Sequence, residues 1–151
     1  MKKLMDRPNI AQNLKAFNAY QQLGKLLNAL EIKALPTETV DFINKAIEEL
    51  NSIADDDKYF VKATKEKSNS VIKWVEKKHK IVPINYYRNL WMIFGMSGIG
   101  MPIGVAFGLS VGNLGLLGIG LPIGMAIGIA LGLSMDKKAL AEGRQLDFEA
   151  K

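Results

Sequence analysis

The residue types that usually carry chemistry are scarce in this chain. It contains no cysteine, which excludes disulfide bonds and thiolate chemistry. Its single histidine, His79, stands among lysines and has no metal-ligand spacing around it. We find no nucleophile motif, no glycine-rich phosphate loop followed by lysine and serine, and no carboxylate pair of recognisable spacing. The sequence therefore predicts a protein that is not an enzyme, with no catalytic residue, no metal site and no cofactor.

The chain is sharply divided into charged and uncharged sequence. From Leu90 to Met135 there is no charged residue over 46 positions. As one helix this run would be roughly 69 Å long, about twice the hydrocarbon thickness of a bilayer. Two transmembrane helices fit instead, joined by a turn at Gly112-Asn113-Leu114-Gly115. The alternative is a buried soluble hairpin, but a soluble core helix still needs a polar face and neither segment has one.

Each predicted membrane helix carries a glycine at every fourth position. The first ladder consists of Gly100, Gly104, Gly108 and Gly112, and the second of Gly120, Gly124, Gly128 and Gly132. Small residues at this spacing form a smooth groove, which lets helix backbones approach closely in lipid. We expect these residues to pack helices together and to support a homo-oligomer. The alternative is that each ladder packs only against its own hairpin partner.

The two ladders belong to a direct repeat, in which GIGMPIGVAFGLSVG is followed twenty positions later by GIGLPIGMAIGIALG. Because the two helices run in opposite directions, the copies should form an inverted pair related by a pseudo-two-fold axis. Pro102 falls near the middle of the first helix and is expected to kink it. Pro122 lies in the first turns of the second helix, where its cost is lower.

Basic residues flank the uncharged run on both sides and predict its orientation. Residues 58–88 carry nine lysines and arginines against two acids, and there is no charge between the two helices. The positive-inside rule then places both termini in the cytoplasm of an inner-membrane protein. The residues expected at the membrane surface, near anionic lipids, are Lys73, Lys77, Lys78, Lys80, Arg88, Trp91, Lys137 and Lys138. Nucleic-acid binding is the alternative for a basic helix, and it is not expected because the topology already explains the lysines.

Residues 1–83 predict a small cytoplasmic helical domain of three helices. The first should begin near Asn9 and end before Pro36. The second is expected to start with Thr37 or Thr39 as its cap and to stop at residues 55–57. The third runs from about 58 to 80, with an expected weak point at residues 68–70. The predicted apolar faces are Ala16, Tyr20, Leu23, Leu27, Leu30, Val40, Ile43, Ile47, Leu50, Ala54, Phe60, Val71, Trp74 and Val75.

A domain of about eighty residues buries only a modest core. Part of this apolar surface is therefore a candidate site for a cytoplasmic protein partner.

The segment from Trp91 to Leu146 resembles the glycine-zipper small integral membrane proteins of bacteria. In that family a glycine-laddered hairpin precedes a tail like Met135-Asp136-Lys137-Lys138-Ala139 and Glu142-Gly143-Arg144-Gln145-Leu146. The resemblance implies hairpin topology and self-association rather than an activity. The hairpin also resembles the proteolipid ring subunit of rotary ATP synthases. That family needs a carboxylate inside the membrane, which the uncharged run lacks, so its function is not carried over.

Together these observations predict an all-α fold with three parts. A cytoplasmic helical bundle spans residues 1–83, a two-helix transmembrane hairpin spans 84–135, and a charged cytoplasmic tail spans 136–151. The expected function is that of a self-associating integral membrane protein that anchors an interaction domain to the bilayer. The alternative is an oligomeric pore-forming or membrane-disrupting effector of the toxin, holin or defence type.

Overall fold

A computed structural model describes residues 1–54, 59–113, 115 and 117–150, and it confirms a mostly helical fold. After a 3₁₀ turn at Pro8–Gln12, the elements are α1 (Leu14–Glu31), α2 (Thr37–Asn51), α3 (Phe60–His79), β1 (Val82–Ile84), α4 (Tyr86–Phe94), a π-helical segment (Gly95–Gly100), α5 (Met101–Val111), α6 (Leu117–Ala141) and β2 (Gln145–Glu149). The chain divides into two compact units. The N-terminal unit contains residues 1–82 and the residues from Leu146 onward, and the hairpin unit contains Pro83–Gln145.

The core of the N-terminal unit is formed by the apolar faces of α1, α2 and α3. Side chains that are almost completely buried include Leu26, Leu30, Ile43, Ile47, Leu50, Phe60, Val71 and Val75. Most of the predicted apolar positions are buried, but Ala54 is exposed, and Tyr20, Val40 and Trp74 are partly exposed. Trp74 is nevertheless packed, because its ring stacks on Phe42 at a centroid distance of 4.3 Å.

The helix ends differ from the predicted ones for local reasons. α1 starts after Asn13, whose side chain accepts hydrogen bonds from the backbone N–H groups of Lys15 and Ala16, both at 3.2 Å. The predicted start at Asn9 lies inside the 3₁₀ turn that begins with Pro8. The predicted stop of the second helix at 55–57 and the predicted start of the third at 58 lie outside the described residues.

The starts and lengths of the next two helices also differ from expectation. α2 has Pro36 at its N-cap position and no side-chain cap, so neither of the two predicted threonines caps it. Thr39 is buried, and its Oγ1 instead lies 2.7 Å from His79 Nε2. α3 continues without a break through residues 68–70.

Arg7 is an unexpected buried charge in the N-terminal unit. It is 4 % exposed, and its guanidinium donates hydrogen bonds to the carbonyl oxygens of Leu50 at 3.0 Å and Ile53 at 2.8 Å. These carbonyls lie at the C-terminal end of α2, where a positive charge complements the helix dipole. The guanidinium also lies 4.7 Å from the centroid of the Phe60 ring. Arg7 therefore holds the N-terminal segment onto the end of α2.

The C-terminal residues, expected only as a charged tail, are folded. α6 continues to Ala141, and Gly143 then takes a positive φ of 68° to turn the chain. β2 follows and pairs with β1 in a two-stranded sheet. Leu146 and Phe148 alternate with exposed residues along β2 and are buried, as Val82 is in β1. This period-two pattern of five residues was too short to stand out in the sequence.

Candidate membrane hairpin and its glycine faces

Two helices of the hairpin unit are long and apolar enough to cross a membrane. We call Tyr86–Val111, which contains α4, the π-helical segment and α5, the first apolar helix, and Gly118–Ala141 the second apolar helix. Between them the chain turns at Gly112, which has a φ of 67°, and the Asn113 Oδ1 accepts a hydrogen bond from the Gly115 backbone at 2.9 Å. This is the predicted turn, except that its Leu114 lies outside the described residues.

The backbones of the two apolar helices are in direct contact along the glycine ladders. A Cβ atom added to Gly100 would lie 2.7 Å from the carbonyl oxygen of Gly120, and one added to Gly124 would lie 2.6 Å from the Gly100 Cα. Real Cβ atoms essentially never come within 3.0 Å of such atoms. Seven of the eight predicted ladder residues are buried, namely Gly100, Gly104, Gly108, Gly120, Gly124, Gly128 and Gly132. The ladders thus close the hairpin itself.

The contacts near Gly100 and Gly120 are reciprocal. These two residues occupy equivalent positions in the sequence repeat, and each would place an added Cβ against the carbonyl oxygen of the other. Gly124 meets Gly100 just as Gly120 meets Gly104. Exchange of the two copies preserves the contact between Gly100 and Gly120, as the expected pseudo-two-fold axis would require. It does not preserve the next contact, because a Cβ added to Gly120 also meets Gly104, whereas the nearest atoms to one added to Gly100 belong to Gly120 and Leu121.

The π-helical segment brings an unpredicted glycine into the contact face. A Cβ added to Gly95 would lie 2.9 Å from the Gly128 Cα, so Gly95 packs like a ladder residue although it is five positions before Gly100. In a regular α-helix the position in register with Gly100 would be Met96. The wider i→i+5 turn of a π-helix absorbs the extra residue and places a glycine there instead of a methionine.

Gly112 does not take part in this face. It ends α5 in the left-handed conformation, it is exposed, and no described atom lies within 4 Å of where its Cβ would be. A glycine is favoured at this position because the backbone has a positive φ, which other residues rarely adopt. The first helix therefore packs through Gly95, Gly100, Gly104 and Gly108, rather than through the predicted set ending at Gly112.

The two prolines occupy different settings. Pro102, at the position of the predicted kink, lies in the first turn of α5, directly after the π-helical segment. Pro122 lies inside α6, which continues through it. A local π-helical turn such as the one before Pro102 re-satisfies the backbone carbonyls that a proline, which has no N–H group, leaves without a donor.

The open ends of the hairpin are joined by Asp136. Its carboxylate is 5 % exposed and accepts hydrogen bonds from the backbone N–H groups of Tyr87 at 3.0 Å and Arg88 at 2.9 Å. These N–H groups belong to the first turn of α4, which has no partner for them inside the helix. Asn85 stands at the N-cap position but makes no side-chain capping bond. A carboxylate from α6 therefore caps α4 and complements its dipole.

A second set of small residues lies on the outer side of each apolar helix. Between the ladder positions, every fourth residue is again small or a proline. The outer stripe of the first helix is Gly98, Pro102, Ala106 and Ser110, and that of the second is Gly118, Pro122, Ala126, Ala130 and Ser134. All nine are exposed. Two residues correspond to about 200° around a helix, so each outer stripe lies roughly opposite its ladder.

The two serine hydroxyls of the first apolar helix donate hydrogen bonds within it. The Ser97 hydroxyl donates to the Ile93 carbonyl at 2.9 Å, and the Ser110 hydroxyl donates to the Ala106 carbonyl at 2.7 Å. The remaining outer surface is apolar and includes large exposed side chains such as Phe107 and Leu109. This helix presents a surface that suits lipid better than water.

The predicted membrane-surface residues are mostly exposed, but several make intramolecular contacts. Lys73, Lys77, Lys78, Lys80, Lys137 and Lys138 are exposed, whereas Arg88 and Trp91 are partly buried. Lys78 pairs with Glu38 at 3.1 Å, Lys80 with Glu76 at 3.3 Å, and Lys138 with Glu142 at 4.0 Å. Exposed pairs of this kind contribute little to stability.

The described residues offer no group of three or more His, Asp or Glu side chains that could hold a metal ion. Comparison of the chain with protein-family models, with curated proteins and with solved structures finds no match. The resemblance to glycine-zipper membrane proteins therefore stays a prediction.

Proposed function

We propose that this protein is a small integral membrane protein whose glycine-packed hairpin crosses the bilayer and anchors the N-terminal helical unit. The observation that carries the proposal is the exposure of the two apolar helices. Only 22 % of the most apolar stretch of each helix is buried. A core helix of a soluble protein is mostly buried or has a polar face, and these helices have neither property.

The packing of the hairpin also favours a lipid environment. Glycine weakens a helix in water by about 1 kcal/mol relative to alanine. In lipid a helix cannot unravel without leaving backbone groups unbonded, so this penalty matters less. Between two helices in lipid, close backbone contact replaces the hydrophobic driving force. The contacts of Gly100, Gly120 and Gly124 have this character.

Self-association is the second part of the proposal. The glycine ladders are occupied within the hairpin, so the surface that would meet a second copy is the outer stripe. Residues such as Gly118, Ala126 and Ala130 are exposed at four-residue spacing. That spacing is the one at which small residues let membrane helices approach each other.

A pore-forming effector remains the alternative. A water-filled pore needs polar side chains or free backbone groups along its wall. The hydroxyls of Ser97 and Ser110 are already bonded to carbonyls of their own helix. The described residues of the first helix therefore give a pore lumen little polar lining, which favours the anchor.

The orientation can be tested by cysteine labelling, because the chain has no cysteine of its own. Asn113→Cys marks the turn, and Lys137→Cys marks the end of the second apolar helix. If both termini are cytoplasmic, an impermeant maleimide added to intact bacterial spheroplasts should label only the first variant. Lys137→Cys should react only after the membrane is permeabilised.

Two results would refute the proposal. One is recovery of the protein in the soluble fraction after high-speed centrifugation. The other is equal labelling of both variants in intact spheroplasts, which would mean that the chain does not cross the membrane twice.

A further inference from the structure

Residues 1–7, which we call the N-terminal segment, lie in a groove between α1 and α2 and bond to both helices. Burial along the segment repeats every three residues. Met1 and Leu4 are partly buried and Arg7 is buried, whereas the residues between them are exposed. A period of three is typical of an extended chain with three residues per turn. The segment therefore places one side in the groove and leaves the others in solvent.

The backbone of the N-terminal segment is held by two asparagines of α2. The Lys2 N–H group donates to Asn44 Oδ1 at 2.7 Å. The Met5 N–H group donates to Asn51 Oδ1 at 3.1 Å, and Asn51 Nδ2 donates to the Lys3 carbonyl at 3.5 Å. The asparagines are two helical turns apart, about 10.5 Å, which is the span of about three extended residues. Their spacing on α2 thus matches an extended chain.

The groove also complements the positive charge of the segment, which carries three cationic side chains against one acid. Lys2 pairs with Glu48 of α2. Arg7 bonds to carbonyl oxygens at the C-terminal end of the same helix, where the helix dipole is negative. On the other wall, the Tyr20 hydroxyl of α1 donates to the Met5 carbonyl at 2.7 Å. The groove therefore fits a basic, extended segment of defined register.

The segment fills this groove incompletely. A cavity of about 320 Å³ remains beside α1, lined by residues that include Leu4, Gly24 and Leu27. The hydrogen bonds of residues 2–5 are exposed to solvent, and Met5 is 49 % exposed. Among the described residues, no hydrogen bond joins the backbone of residues 1–6 to another backbone group. Segments held in this way open locally at a low free-energy cost.

We propose that the groove is a docking site for residues 1–7 of a neighbouring copy, so that copies in the membrane exchange N-terminal segments. Every contact made within one chain can be made between two, because the exchanged segment is identical. Arg7, the buried residue, regains the same carbonyl partners in the neighbouring groove. The 3₁₀ turn that starts at Pro8 follows the segment directly and is where the chain would turn towards a neighbour.

This inference rests on the self-association proposed above and adds a second contact between copies. Because the contacts within and between chains are the same, the local concentration of neighbouring grooves sets the balance between them. Assembly in a membrane raises that concentration, so we expect exchange in the oligomer.

Crosslinking of two full-length chains with different tags, co-expressed in membranes, tests the exchange. One chain carries Lys2→Cys and the other carries Glu48→Cys, which replace an exposed ion pair and should cost little stability. Since the chain has no cysteine of its own, a short bismaleimide joins the chains only through these positions. We expect a crosslinked heterodimer. Lys2→Cys combined with Lys73→Cys, an exposed position of α3, should give only the background from random collision.

A further substitution in the Glu48→Cys chain tests whether the crosslink depends on the groove. Asn51→Ala removes both of its bonds to the segment and should lower the heterodimer yield by about tenfold, because the other chain keeps an intact groove of its own. Ser52→Ala is the matched control, since the Ser52 hydroxyl bonds to the Glu49 carbonyl and not to the segment. It should leave the yield unchanged.

Two results would overturn the exchange. One is a heterodimer yield no higher than background, with crosslinking only inside a chain that carries both Lys2→Cys and Glu48→Cys. The other is an equal loss of yield with Asn51→Ala and Ser52→Ala. Oxidation of Ala126→Cys in the same membranes separates this failure from that of the proposed function. Disulfide-linked dimers at this position without segment crosslinks would mean that only the exchange is wrong, and absence of both would contradict self-association as well.

Discussion

At the scale of single residues, Asp136 has the clearest role in the hairpin unit. Its carboxylate bonds to backbone groups 49 and 48 positions earlier in the chain, at Tyr87 and Arg88. Asp136 therefore caps the start of the first apolar helix, although it lies far from that helix start in the sequence. Asn13 at the start of α1 is the local counterpart.

Removal of this carboxylate should loosen the open end of the hairpin. Asp136→Ala leaves one buried and one partly buried N–H group without this acceptor, and we expect it to lower the free energy of unfolding by about 1–3 kcal/mol. Asp136→Asn should cost less, because one acceptor oxygen remains. The measurement is loss of helicity during denaturation of the full chain in micelles. Asp147→Asn, at an exposed position of β2, should leave the transition unchanged, and an unchanged transition in Asp136→Ala would disprove the capping role.

Such residues could not be identified from the sequence, because their partners are distant along the chain. Asp136 was expected only as part of a charged tail. Arg7 has its carbonyl partners 43 or more residues away, and its sequence neighbourhood carries no sign of burial. In contrast, Gly120 and Gly124 were identified in advance, since their spacing is visible within a single helix.

At the scale of secondary-structure elements, each apolar helix has an inner glycine face and an outer small-residue stripe. The inner face is closed by backbone contacts, while positions such as Gly118 have no described atom within 4 Å of an added Cβ. The two kinds of glycine should therefore respond differently to the same substitution.

Gly124→Ala and Gly118→Ala provide a matched pair in the second apolar helix. The first places a methyl group 2.6 Å from the Gly100 Cα, so the helices must separate, at a cost of about 1–3 kcal/mol. The second places it in open space, and the better helix propensity of alanine should leave the hairpin as stable or up to about 1 kcal/mol more stable. Denaturation in micelles measures both. Equal behaviour of the two variants would contradict the described packing.

The elements themselves were largely predictable, and their irregularities were not. Hydrophobic periodicity indicated α1, α2 and α3, and the uncharged run indicated two apolar helices. The π-helical segment arises from the combination of Pro102 with backbone packing at Gly95 and Gly100, and that packing depends on the opposite helix. The ends of α2 depend on distant partners. Near its start, the predicted cap Thr39 lies instead against His79, and at its end the carbonyls of Leu50 and Ile53 accept hydrogen bonds from Arg7.

At the scale of the whole molecule, the chain combines a polar helical unit with a hairpin that exposes apolar surface. Residues from Leu146 onward belong to the N-terminal unit, so the hairpin is an insertion within that unit's sequence rather than a C-terminal extension. The apolar outer surface of the hairpin is where we expect both lipid and further copies of the chain.

Substitutions on the outer stripe should change the oligomeric state without opening the hairpin. Ala126→Leu introduces a large side chain where a second helix would approach, and we expect crosslinking in membranes to shift from oligomer towards monomer. Ile127→Leu, at an exposed large position next to it, should leave the crosslinking pattern as in the unmodified chain. An unchanged oligomer in Ala126→Leu would show that this stripe contacts only lipid.

The likeness between the two repeats has a consequence for how they can diverge. Gly112 and Gly132 are equivalent by duplication, and both are glycine. Gly112 is constrained by its positive φ, whereas Gly132 would bring a Cβ within 2.7 Å of the Arg88 backbone nitrogen. Glycine is therefore favoured at both equivalent positions, but for unrelated structural reasons. Asparagine, which tolerates a positive φ, is an acceptable evolutionary replacement at the first position and not at the second.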